Sequence, residues 1–414
     1  MTILIAGGGV GGLTLGLALH ARGIDAEIFE QASGVRQLGV GINTLPHAIK
    51  QLADLGLLER LDRIGVRTSE LVYKLANGQD ILRQPRGLDA GYEVPQFSIH
   101  RGRLQKMLFD AAVERLGKDK VHTGRRLVRF SQDAGAVTGI FADRDGAETE
   151  RRGAVLIGAD GIHSTVRRHY HPDQGDPSWN GMLMWRGAAW WQPFLDGRTM
   201  IIAGGMKAKL VLYPIFNDPE KHPGETLMNW VVGARLGDGS TPIPHRDDWS
   251  KPGTLTDVMS HVTGVFDLPE VDIEALIAAT PEFYVYPMCD RDPLERWTDA
   301  RITLLGDAAH PMYPVGSNGA SQAVLDAVAL ADLLAEDAGP GALAAYEDLR
   351  RPATTEIVYS NRKGGPERVI DLIEERAPNG FANLHDVATP DELRAIVGEY
   401  SQMAGFATEQ VNRG

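Results

Sequence analysis

The first thirty residues constrain the chain most. Thr2 to Ala6 is a short apolar run suited to a buried parallel strand, and Gly7, Gly9 and Gly12 follow it as G-x-G-x-x-G. Leu13, Leu15, Leu17, Ala18 and Leu19 then give a helical face, and Asp25 to Phe29 reads as a second strand ending at Glu30. Strand, turn, helix, strand and acid in this register make a βαβ dinucleotide fingerprint. Its glycines let backbone N–H groups approach a pyrophosphate at a helix N-terminus, and an acid about 20 residues on accepts hydrogen bonds from a ribose. Glycines alone would mark only a tight turn; their context argues for the ligand.

Length and charge narrow the rest. A chain of 414 residues outgrows a single core, so two domains or one with a large insertion are expected. A net charge of -13 leaves no basic surplus to neutralise phosphates, which argues against nucleic acid and for a small-molecule partner. The single cysteine, Cys289, excludes a disulfide framework and suits a reducing cytosol. The apolar N-terminus has no basic residue before it and is broken by Gly7 to Gly12, unlike a signal peptide. No stretch approaches the ~20 apolar residues of a membrane span, so a cytoplasmic protein, monomer or homodimer, is expected.

Further along, Gly39 and Gly41 imply unusual backbone angles or a close approach to something bulky. Asn43 or Thr44 can cap a helix with Pro46 in its first turn and Gly56 closing it; His47 on that helix reads as surface or core. Leu71 to Leu82 alternates around Asn77-Gly78, a hairpin signal. In "SIHRGRLQKMLFDAAVERLG", Leu104 and Leu108 belong to a core, while Arg101 and Gln105, one turn apart, either reach one ligand or form a solvated edge. Strands follow from Leu127 to Phe130 and from Ala136 to Asp143.

Two more strand-to-loop junctions stand out. Ala154 to Ile157 runs into Gly158, Asp160 and Gly161 and belongs in the same parallel sheet as the N-terminus; Asp160 caps the next helix or holds the loop. Ile302 to Leu305 runs into Gly306-Asp307, a Pro- and Gly-containing loop, and a long helix from near Ser317 whose N–H groups and dipole can stabilise negative charge. Between them, Gly181 to Met288 carries recurrent aromatic-rich strands, an antiparallel sheet domain broken by a helical stretch from Thr254 to Phe266. For any one of Trp185, Trp190, Trp191, Tyr213, Trp230, Tyr284 and Tyr286 core packing is the ordinary role, yet one face of such a sheet can line an aromatic pocket. His310 has no partner at metal-ligand spacing, so no metal is expected. The chain beyond about Gly341 reads as helices with exposed charges.

"GGGVGG" ending at Gly12, "GADGIHSTVR" around Asp160 and "LLGDAAHPMYPVGSNGA" around Asp307 together resemble the group A flavoprotein monooxygenases, the FAD-dependent aromatic hydroxylases of the para-hydroxybenzoate hydroxylase type. The islands "GVGIN", "SIHRGRLQ", "MWRG", "YPMCDRDPLERW" and "GSNGASQAVLD" are most similar to the phenazine-hydroxylating branch. The resemblance implies an α/β fold: a Rossmann-like FAD domain (1–72, 98–180 and 289–340), an inserted antiparallel substrate domain (73–97 and 181–288) and a C-terminal helical segment (341–414).

It also implies roles. Non-covalent FAD would be bound by Gly7, Gly9, Val10, Gly12, Gln31, Arg36, Gly41 and Leu127. Glu30 would take the adenosine ribose, Arg101 and Gln105 the pyrophosphate and ribityl region, and Asp307 the ribityl hydroxyls. Asp160 would serve the phosphates and transient NAD(P)H. Pro314 would lie beside the flavin ring, and the amides of Gly316, Asn318, Gly319 and Ala320 would face its pyrimidine end. NAD(P)H and O2 would be co-substrates for hydroxylation of an aromatic or phenazine-like acid, with or without loss of its carboxylate. Trp185, Arg186, Tyr213, Trp230 and Tyr286 are the substrate-side candidates, and Arg186 or Lys209 would hold a carboxylate unless each is an ordinary salt bridge. An oxidase or dehydrogenase on the same fold is the alternative. With one dinucleotide fingerprint and no triad or metal cluster, the cofactor is expected to carry the chemistry.

Overall fold

The computed structural model describes residues 2–34, 40–240 and 251–413. Strands β1 (Ile3–Ala6) and β2 (Ala26–Glu30) flank helix α1 (Val10–Ala21). Next come β3 (Gly41–Thr44), α2 (Pro46–Asp54), α3 (Leu58–Asp62), β4 (Gly65–Arg67), β5 (Glu70–Lys74), β6 (Asp80–Pro85), β7 (Phe97–His100) and α4 (Arg101–Leu116). Strands β8 (Val121–Thr123), β9 (Arg126–Gln132), β10 (Val137–Ala142), β11 (Glu148–Gly153) and β12 (Val155–Gly158) lead to α5 (Thr165–Tyr170). Long strands follow: β13 (Ser178–Trp191), β14 (Thr199–Ala203), β15 (Ala208–Phe216) and β16 (Thr226–Arg235). Helices α6 (Leu255–Met259) and α7 (Ile273–Ala278) precede β17 (Phe283–Asp290) and β18 (Ile302–Leu304). The chain then continues as α8 (Gly319–Glu336), α9 (Pro340–Arg362), α10 (Arg368–Arg376), α11 (Pro390–Met403) and α12 (Thr408–Arg413).

The sheet ordered β18-β12-β1-β2-β8 is parallel throughout. Helix α1 covers one face, against Ile5 and Ile28, and the three-stranded sheet β11-β10-β9 covers the other, with Phe29 stacked on Phe141 at 3.7 Å and Gly153 against Leu4, so β1 and β12 are continuous apolar runs. Helix α1 lies close against its neighbours through missing side chains: a Cβ on Gly11 would sit 2.6 Å from Leu305 and one on Gly16 2.6 Å from Ile28. All three motifs leave the carboxyl ends of adjacent strands β1, β12 and β18, where open α/β sheets bind ligands.

The second sheet is ordered β17-β13-β16-β15-β14-β5-β6 and is antiparallel except for the parallel step between β14 and β5. Strand alternation sorts its residues. Trp185, Leu210, Leu212, Trp230 and Val232 pack with α6 and α7 on one face, while Arg186, Lys209, Tyr213, Asn229 and Tyr286 occupy the other.

Three local expectations change. Asn43 and Thr44 lie in β3 rather than capping α2, and Asn43 accepts a hydrogen bond from the Ser98 hydroxyl. The amide of Leu45 at the helix start donates instead to Ser321 Oγ, a partner far along the chain. The helical stretch expected from Thr254 to Phe266 is α-helical only over Leu255–Met259. Helix α8 begins at Gly319 because Ser317, at φ 56°, has a left-handed backbone that cannot join it.

Candidate active site

The three glycines of the first motif have three different environments. Gly7 has φ 116°, and a Cβ there would lie 2.1 Å from the Ala159 carbonyl oxygen. Around Gly9 no atom of the described residues, its chain neighbours apart, lies within 4 Å of the added carbon. A Cβ on Gly12 would lie 2.0 Å from the Gly7 oxygen, so that glycine lets helix and strand close up. Turn, ligand approach and helix–strand packing are the three tasks of such a motif; Gly7 and Gly12 have the geometry of the first and third, and Gly9 leaves the open space that the second requires. Val10 begins α1 partly buried against the core.

Glu30 braces the turn: one carboxylate oxygen accepts from Gly8 N at 2.7 Å and the other from Ala32 N at 2.7 Å. Gln105 donates to the Gly8 carbonyl at 2.8 Å, so α4 reaches the glycine turn. Arg101, on the same stripe, is exposed and close enough to act on the Tyr286 hydroxyl electrostatically. Gln31 is exposed beside Glu30. Leu127 is a core side chain whose carbonyl accepts from the Thr165 hydroxyl at 3.3 Å. Arg36 lies outside the described residues.

At the second motif, Asp160 accepts from Thr165 N at 2.7 Å through one oxygen, while the other is buried without a partner among the described residues. Burial pushes its carboxyl upward, against the bonds from Ser164 and Thr165. Arg167 then ties this motif to the third: it donates to the backbone carbonyls of Ala308, Ala309 and Asp292 at 3.0, 2.8 and 2.9 Å. Burial, then the Arg291 charge, pulls its guanidinium down to about 9.

At the third motif Asp307 is exposed and has no side-chain bond among the described residues, near the start of α8. Beneath it, Asp326 accepts from Gly306 N at 3.2 Å, from Arg350 at 2.7 Å and pairs with His310 at 2.5 Å. Burial works against its charge, yet His310 and Arg350 hold its carboxyl below the ordinary range. The amides of Ser317, Asn318, Gly319 and Ala320 meet no acceptor among the described residues, as the first turn of a helix leaves them. Gly316 differs, for its amide donates to Glu367 at 3.2 Å. Pro314 is exposed at the loop's edge.

The open face of the second sheet comes up against this loop. Met182, Met184, Tyr286 and Met288 pack on Tyr313 and Val315. Beside them, Arg186 donates to the Gly41 carbonyl at 2.7 Å, and its Nε is buried without a partner among the described residues. Its guanidinium lies 5.8 Å from the Tyr286 ring centre and also near Tyr213, whose hydroxyl burial pushes up to about 12 against the Arg186 charge. Gly41 answers for its glycine through close approach, since a Cβ would lie 2.4 Å from the Tyr213 ring. Trp185 and Trp230 are on the opposite face, packed in the helix-covered core with Trp230 donating to Thr280 at 2.8 Å. Alternation puts them there, one residue out of phase with Arg186 and Asn229.

Glu367 is the residue that sequence reasoning missed. It is 5% exposed, pairs with Lys209 and belongs to the segment read as exposed charge. No local pattern marks it, because Lys209 lies 158 residues away in sequence.

A glycine cradle with orphan amides, a free carboxylate and a facing aromatic sheet fits a dinucleotide whose second half is a planar ring, and defines a flavoprotein. The chain matches the FAD binding domain family over residues 1–202 and 241–361, and it belongs to that family. It is 44% identical over 403 residues to phenazine 1,6-dicarboxylic acid hydroxylase of Lysobacter antibioticus, covering 96% of both chains. It is 31% identical to 3-hydroxybenzoate 6-hydroxylase of Polaromonas naphthalenivorans, over 92% of this chain and 94% of that one. Its fold is similar to that of Klebsiella pneumoniae HpxO complexed with FAD and uric acid (TM-score 0.72, 22% identity, 100% of this chain and 95% of that one). The protein is thus an FAD-dependent enzyme of the aromatic-ring hydroxylase kind. Among the described residues, no helix is long and apolar enough to cross a membrane.

Proposed function

We propose that this enzyme hydroxylates a planar aromatic acid of the phenazine class, using NAD(P)H and O2, and that Arg186 holds the substrate carboxylate. The observation that carries the reading is the Arg186 Nε, buried and unpaired among the described residues on the sheet face that meets the cofactor loop. A buried donor without an acceptor costs about 1–3 kcal/mol, which a carboxylate arriving there would offset. Lys209, the other cation considered for this task, is engaged by Glu367. The likeness to a hydroxylase of a phenazine dicarboxylic acid supports the ring class.

FAD, when bound, supplies the electron transfer and the oxygen activation. Gly7, Gly9, Val10 and Gly12 would hold its pyrophosphate, with Arg101 and Gln105 reaching in from α4. Glu30 and Gln31 would take the adenosine ribose and Asp307 the ribityl chain. Asp160 would bring its unpaired oxygen to the phosphate side, and the backbone at Leu127 and Gly41 would flank the nucleotide. Pro314 and the amides of Asn318, Gly319 and Ala320 would place the ring and favour negative charge on it. Tyr213, Tyr286 and the methionines of β13 and β17 would flank the substrate and exclude water.

Product labelled from 18O2, with NAD(P)H oxidation accelerated by a phenazine carboxylate, is the expected result; oxygen drawn from water would sink the proposal. For Arg186→Met the KM should rise about 10- to 150-fold, the equivalent of 1.5–3 kcal/mol for a charged hydrogen bond. A ring lacking the carboxylate should be turned over equally by both proteins. Equal losses on both substrates would remove the carboxylate role.

A further inference from the structure

We infer that the buried Lys209–Glu367 pair keeps the ring end of the cofactor loop electrostatically balanced, so that the loss of either partner alone shifts the flavin's reduction potential. The inference rests on the proposed placement of the ring beside the start of α8.

A chain of hydrogen bonds fastens the C-terminal segment to this loop. Glu367 accepts from Gly316 N at 3.2 Å with one oxygen and binds Lys209 of β15 with the other. Asn361 donates to the Tyr313 carbonyl at 3.1 Å, and the Tyr400 hydroxyl donates to Asn361 at 2.8 Å. Asn318, the residue before α8, donates to that same hydroxyl at 3.4 Å. A Cβ on Gly316, where φ is 65°, would lie 2.6 Å from the Tyr400 oxygen, so the loop has no room to move away from Glu367.

Packing alone does not call for a charge here. Lys209 and Glu367 are 9% and 5% exposed, and removing two ions from water costs more than an apolar pair of the same size. Their position gives them an effect on the ring. The carboxylate sits on the amide of Gly316, directly before the orphan amides of Ser317 to Ala320. In a water-poor interior a charge acts over longer distances than at the surface. With both partners present the two effects nearly cancel; with one removed they cannot.

The signs follow from the flavin gaining negative charge on reduction. Glu367→Gln leaves Lys209 uncompensated and should raise the potential. Lys209→Met leaves the carboxylate uncompensated and should lower it. The double variant should return toward the parent. A tenfold change in the reduced-to-oxidised ratio is about 30 mV for a two-electron couple, and each single variant should move at least that far.

The measurement is a spectroelectrochemical titration of FAD-loaded protein at pH 8.5 without substrate, so that it is independent of which acid the enzyme hydroxylates. Shifts of opposite sign establish the pair as a charge balance at the ring. Shifts of the same sign, or shifts below tenfold in both, leave it a structural tie and overturn the inference, while the labelled-oxygen result would stand. Should Glu367→Gln fail to fold or retain FAD, Lys209→Arg and Lys209→Met decide the matter. The first should keep the parent potential and the second lower it; a common response would overturn the inference equally.

Discussion

Gly9→Ala should separate cofactor binding from folding. At Gly9 the backbone has φ −76° and ψ −175°, open to any residue, and the added carbon meets no atom within 4 Å. The apoprotein should therefore keep its stability or gain about 0.4–1 kcal/mol, since alanine has less freedom to lose on folding. A methyl group at the point of pyrophosphate approach should cost binding about 1–3 kcal/mol, the scale of overpacking, or roughly 5- to 150-fold in Kd. At FAD one hundred times the parent Kd, ligand linkage adds about 2.7 kcal/mol to the parent; a hundredfold weaker variant keeps about 0.4. Urea unfolding with and without FAD measures both quantities, and fluorescence titration gives Kd directly. Gly12→Ala is the control. Its carbon would stand 2.0 Å from the Gly7 oxygen, a backbone atom that cannot turn aside, so the apoprotein itself should weaken. A Gly9→Ala protein that binds FAD within twofold of the parent would refute the assignment of that open space to the pyrophosphate.

Asp307→Ala should weaken FAD binding by about 1–3 kcal/mol while leaving apoprotein unfolding unchanged, because the side chain is exposed and holds nothing else; undiminished flavin occupancy would reject its role. Glu30→Ala should do both kinds of harm, since its carboxylate also holds the Gly8 and Ala32 amides; a drop in FAD affinity with unaltered apoprotein stability would contradict that bracing. His47 provides a pH test: burial first, then Arg350, lower its pKa to about 3, so it stays neutral when folded but protonates when unfolded. Its contribution is complete above about 6.5 and declines as pH falls toward 3, at up to about 1.4 kcal/mol per pH unit. His47→Gln should flatten the urea-midpoint profile between pH 7.5 and 5, and a slope equal to the parent's would rule out buried, neutral His47.

The βαβ unit was legible because its signals are local. Glycines, an apolar strand and a helix face sit within thirty residues, and each states its own geometry. The sheet was legible as a sheet but not as two faces: Trp185 and Arg186 are neighbours in sequence, and only the register with β16 and β17 tells which one meets the loop. Aromatic content drew attention to Trp185 and Trp230, whereas burial depends on phase. The start of α8 is legible to within two residues, and the remainder is not, because a serine in the left-handed region leaves no mark on a sequence. Glu367 was hidden for a different reason. Its meaning depends on a lysine and a glycine amide brought beside it by the fold.

The adjacency of β1, β12 and β18 also bears on how the protein is made. The cradle proposed above draws on Gly9, Asp160 and Asp307, so two of its three walls would not exist while a ribosome has produced only the first third of the chain. The central sheet must wait for β18 to close its edge, after the whole second sheet has been synthesised. Contacts so distant in sequence form slowly, and the unfinished edge of β12 stays open to wrong partners meanwhile. Capture of FAD would then come late and report that β18 has docked, making yellow colour in a preparation a measure of completed assembly as well as of cofactor supply.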